Sequence, residues 1–124
     1  MTRLPARTLA SAASAFALAA ATITIASPAS AHWSCGRAAP DDITTSWGST
    51  TASTSARVGS SARCATAHTI SPNENLDYHC FAVDINGIET WTYVVSVPNP
   101  SKRGWVSDSM LNDGGSYTAC PNQG

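Results

Sequence analysis

Few side chains here could do metal or redox chemistry: three histidines, His32, His68 and His79, and four cysteines, Cys35, Cys64, Cys80 and Cys120. His32 follows Ala-Ser-Ala at 29–31. Cleavage after Ala31 would leave His32 with a free amine beside its imidazole, a nitrogen pair suited to copper, with His68 or His79 as the second imidazole. That combination is the minor alternative, a copper-binding enzyme. Asp77 and His79 stand two residues apart, so a strand places both on one face, where a carboxylate beside an imidazole could hold a metal or move a proton. Two ligands do not make a site, and no metal or cofactor is expected. Nucleophilic catalysis lacks its parts as well, since there is no G-x-S-x-G elbow and no glycine-rich phosphate loop. The chain therefore reads as a non-enzyme.

The elements that would position these residues begin after residue 31. Arg3 and Arg7 precede an Ala-, Ser- and Thr-rich apolar run, and no further charge appears before Arg37. Residues 1–31 are expected to be a signal peptide, which makes the protein secreted and leaves no membrane span in the mature chain. Residues 32–124 carry five Lys and Arg against eight Asp and Glu, a net charge of −3. A mildly acidic domain with no basic run excludes nucleic acid and anionic membrane as partners, and a monomer is expected.

Four cysteines in a short exported chain point to two disulfides, which a domain this small needs to offset its chain entropy. Three pairings are possible and sequence does not separate them. The preferred one joins Cys64 to Cys80 and Cys35 to Cys120. Residues 32–55 form a polar, Ser/Thr-rich leader, lying over the domain or mobile, with Trp47 as its anchor. The compact domain spans 56–120, and 121–124 is a tail. Turn signals at 71–75, 86–87, 98–104 and 112–115 separate short β-branched and aromatic runs at 76–83, 89–97 and 104–107. The class is all-β, and a small barrel of five to six short strands would avoid exposed edges.

The segment KRGWVSDSML, residues 102–111, together with ARVGSS at 56–61 and ETWTYVV at 89–95, resembles the bacterial SH3-like domain. The resemblance covers Ala56 to Leu111 and implies an opening strand, a central Trp-bearing strand, and a Gly-Trp-Val strand closing through a short turn that ends in Leu. Relatives often hold lytic enzymes on peptidoglycan, so the resemblance implies a non-catalytic module binding a cell-wall peptide or glycan. The alternative is a secreted inhibitor or signalling protein that presents its loops to a protein partner. Aromatic side chains grip such ligands at low entropy cost, which makes Tyr78, Trp91, Tyr93 and Trp105 the candidate contacts. Parity puts Trp91, Tyr93, Val95 and Val97 on one strand face and Thr92 and Val94 on the other. A simple burial argument makes the aromatic face the core. The family pattern instead turns Thr92 and Val94 inward.

Overall fold

Short apolar runs alternating with turn residues fold into six strands: β1 (Trp47–Ser49), β2 (Thr54–Arg57), β3 (Thr66–Ile70), β4 (Asn75–Val83), β5 (Thr90–Ser96) and β6 (Arg103–Ser107). The structure, a computed structural model, describes residues 32–121; the expected signal peptide lies outside them. All pairings are antiparallel, in one sheet of order β1-β4-β5-β6-β2-β3. The expected all-β class is observed, and no helix among the described residues is long and apolar enough to cross a membrane. Asn86-Gly87 turns β4 into β5, with Gly87 at φ +76°. After β6, a single 3-10 turn (Asp108–Met110) delivers Leu111 to the interior.

One face of the sheet buries Ala56, Ile70, Leu76, Tyr78, Val94, Val106 and Leu111 as a cluster. Five strands supply these residues, so the sheet must curve around them. The opposite face buries a second cluster of Trp33, Cys80, Ala82, Trp91, Tyr93, Trp105 and Cys120. Strand β5 therefore has no wet side between Trp91 and Val94. Thr92 and Val94 point inward, and Trp91 and Tyr93 are covered too, by segments from both ends of the described chain.

A β-bulge in β4 makes this double burial possible. Tyr78 pairs with Val94, but Cys80 pairs with Tyr93, leaving His79 as the extra residue. Directly paired side chains share a face, so the bulge turns the strand over between Tyr78 and Cys80. Leu76 and Tyr78 enter the inner cluster, whereas Cys80 and Ala82 enter the outer one.

Two disulfides are present, but the pairing differs from the preferred one: Cys35 joins Cys64 and Cys80 joins Cys120. Each cysteine thus pairs with its neighbour in sequence. The reason is the bulge, which aims Cys80 at the outer face where the C-terminal segment lies, with Phe81 bridged to Ala119. Cys64 instead meets Cys35 across Gly59, where a Cβ would stand 2.6 Å from the Cys64 sulfur. Trp47 is not the anchor of residues 32–55, since it is 66% exposed. Trp33 serves instead: its ring lies against Trp105 with centroids 5.4 Å apart, and its indole N–H donates to the Ala38 carbonyl at 3.1 Å.

Candidate functional site

All four candidate contact aromatics are buried. Tyr78 lies wholly inside, its hydroxyl donating to Asp113 Oδ1 at 2.7 Å. Burial, followed by the neighbouring Asp113 carboxylate, pushes that phenol far above the ordinary tyrosine range. The indole N–H of Trp91 donates to the buried Asp84 at 2.7 Å. Tyr93 and Trp105 meet edge to face with centroids 5.4 Å apart, beneath the Trp33 segment. All four belong to the two buried clusters, and the segments that carry Trp33 and Cys120 pack over the outer one.

What remains open beside Tyr93 and Trp105 is a cleft of about 240 Å³. Its walls are the leader at Gly36, Arg37 and Ala39, strand β2 at Arg57, strand β3 at Ala67 and His68, and strand β6 at Arg103 and Gly104. Strand register explains the convergence: Arg57 is the cross-strand partner of Trp105, and Arg103 of Val95, so both guanidiniums stand on the outer face. The leader brings Arg37 over the same face, its guanidinium carbon 3.7 Å above the Trp33 ring.

The cleft is consequently basic within an acidic chain. Arg57 Nη1 donates to the Cys64 carbonyl at 2.9 Å, and Arg103 donates from Nε and Nη2 to the Pro100 carbonyl at 3.1 and 2.9 Å. Backbone carbonyls orient these forks but do not neutralise them, and neither arginine has an ion pair among the described residues. Burial pushes the Tyr93 phenol upward while the Arg103 guanidinium beside it works the other way. The volume falls below the roughly 300–1,000 Å³ of pockets that enclose a whole small molecule. It suits one anionic group on a longer ligand.

The remaining candidates separate. His68 lines the cleft. Asp77 and His79 do share a face, as parity requires, and Asp42 from the leader joins them. Burial pushes the Asp77 carboxyl up, Asp42 beside it adds to the rise, and His79 opposes it. His32 Nδ1 lies 3.1 Å from the Ser60 hydroxyl, and no group of three ligand-type residues includes it among the described residues. Sequence reasoning missed Arg37, Arg57, Arg103 and Asp42, which are scattered along the chain. Arg103 alone carried a signal, standing two residues before Trp105 and hence on its face. No family model, curated protein or solved structure matches this chain.

Proposed function

We propose that the protein is a secreted, non-catalytic binding module that takes a carboxylate-bearing segment of a cell-wall peptide into the Arg57/Arg103 cleft. The observation that carries this reading is the pair of guanidiniums held in place by backbone carbonyls beside a rigid aromatic floor. Planar guanidinium forks match carboxylates in bidentate fashion, and pre-set forks lose little entropy on binding. The SH3-like resemblance supports a wall ligand, and the two disulfides suit an extracellular setting. Co-sedimentation with purified peptidoglycan tests it. Retention should fall with rising salt and drop roughly tenfold in Arg103→Gln, the scale of about 1.5 kcal/mol for one charge-assisted bond. Wild-type protein staying in the supernatant at low salt would refute the wall ligand.

A second reading rests on the β4–β5 hairpin tip, where Ile85 and Ile88 are 53% and 81% exposed. Such a tip fits the secreted inhibitor or signalling alternative, since a protein partner would cover both isoleucines. An Ile88→Asp variant that loses a stoichiometric partner in pull-down, while keeping peptidoglycan retention, would favour it.

A further inference from the structure

Asp42, Asp77 and His79 form a second polar cluster on the outer face, with one ligand-type atom of each lying within 4.8 Å of the others. The sequence separates Asp42 from Asp77 by 35 positions, and two local devices bring it back. The Thr44 hydroxyl donates to the Tyr78 carbonyl at 2.6 Å, fastening the leader to β4. The Thr44 amide donates to Asp42 Oδ1 at 3.2 Å, which leaves Oδ2 to face His79. The bulge at His79 holds the imidazole against the Tyr93 ring, centroids 5.2 Å apart.

The imidazole itself is oriented from behind. His79 Nδ1 lies 3.1 Å from the Pro40 carbonyl oxygen, which can only accept, so Nδ1 carries the proton. Nε2 then faces the two carboxylates, 3.6 Å from Asp77 Oδ2 and 3.9 Å from Asp42 Oδ2. With Nδ1 protonated, a neutral imidazole aims its Nε2 lone pair at the two carboxylates, an arrangement that a cation between them relieves, whether a proton or a metal ion. The separations are too long for hydrogen bonds, which end near ~3.2 Å for nitrogen and oxygen. Ligand atoms bound at about 2.0–2.1 Å to one tetrahedral ion stand roughly 3.3 Å apart. The two distances from His79 exceed that spacing by a few tenths of an ångström, and both aspartate side chains are more than a third exposed.

We propose that Asp42, Asp77 and His79 bind a divalent metal ion, Zn²⁺ being the best match, with water at the remaining position. One imidazole and two carboxylates suit a first-row divalent ion, and two negative charges balance it. A carbonyl behind the histidine is the usual outer-shell support of a metal ligand, fixing ring and tautomer. Bound there, the ion would tie the leader between Cys35 and β1 to strand β4. The site is separate from the arginine cleft and does not depend on the wall-binding reading.

Titration of the oxidised, chelator-treated protein with ZnCl2 in a calorimeter tests the site. Saturable 1:1 binding is expected, weakened by roughly tenfold or more in Asp42→Asn and in His79→Gln. Asp42 is an exposed leader residue, so its variant keeps the fold even if His79→Gln does not; circular dichroism checks this. His32→Ala should bind as wild type does. Absence of saturable binding overturns the proposal. So does full affinity in folded Asp42→Asn, or loss of binding in His32→Ala, which would move the ion to the N-terminal histidine.

Discussion

The inner face of the sheet buries a cluster supplied almost entirely by strands, whereas the outer face buries one that needs Trp33 and Cys120 from segments near the two ends of the described chain. The inner layer forms as strand pairing forms. The outer layer closes only when residues distant in sequence return, and each returning segment carries a disulfide to the body of the protein. A small sheet can thus bury both faces of its central strand, provided that covalent links offset the entropy of bringing the ends back.

The strongest way to break the contrast is reduction. The bridges span 29 and 40 residues, which in a chain-entropy model amounts to about 3.5–4 kcal/mol each. Against a total stability of roughly 5–15 kcal/mol, losing both should release the outer layer first. Tryptophan emission is expected to shift red on reduction; an unchanged spectrum would show that the outer layer does not depend on the bridges. Next come two truncations. Trp33→Ala should cost about 3–5 kcal/mol and Leu76→Ala about 2–5 kcal/mol in denaturant unfolding. Hydrogen exchange sharpens the difference between them, since only Trp33→Ala should accelerate exchange of the Cys120 amide, which donates to the Phe81 carbonyl.

A smaller effect is expected in acid. Burial works against the Glu74 carboxylate, yet hydrogen bonds from Ser96 and the Ser71 amide, with the Lys102 ammonium 3.0 Å away, hold its pKa below the ordinary value. A lowered folded pKa means that stability is present above the unfolded glutamate value and drains away as pH falls through the folded one. Glu74→Gln should therefore flatten the acid limb of a melting-temperature profile. If the wild-type and variant profiles fall in parallel below pH 4.5, this clasp contributes nothing there. Least of all should Trp47→Ala matter: its exposed ring belongs to neither cluster, and a change within about 0.5 kcal/mol is expected from thermal unfolding.

Strands β4, β5 and β6 were legible in the sequence because their alternation and turn residues agree. The bulge was not. Even-numbered residues from Leu76 to Ala82 are buried without interruption, so the burial pattern looks like one regular strand although its two halves face opposite clusters. That hidden reversal is why the disulfide pairing came out differently from the preferred one. Trp33 was equally hard to read, since a single aromatic in a polar stretch has no periodicity to mark it. The cleft and the Asp42 cluster depend on returns of the leader, which no local pattern encodes. Asp77 and His79 were visible as a pair because two-residue spacing is itself a structural statement.

The order of the cysteines has a consequence for how the chain matures. Because Cys35 pairs with Cys64 and Cys80 with Cys120, the bridges are consecutive and neither loop encloses the other. A chain delivered N-terminus first into an oxidising space would present the first correct pair before the third cysteine emerges. Were the first bridge closed by then, Cys80 would find only Cys120 as a free partner, so the order of emergence would favour the native pairing over the other two.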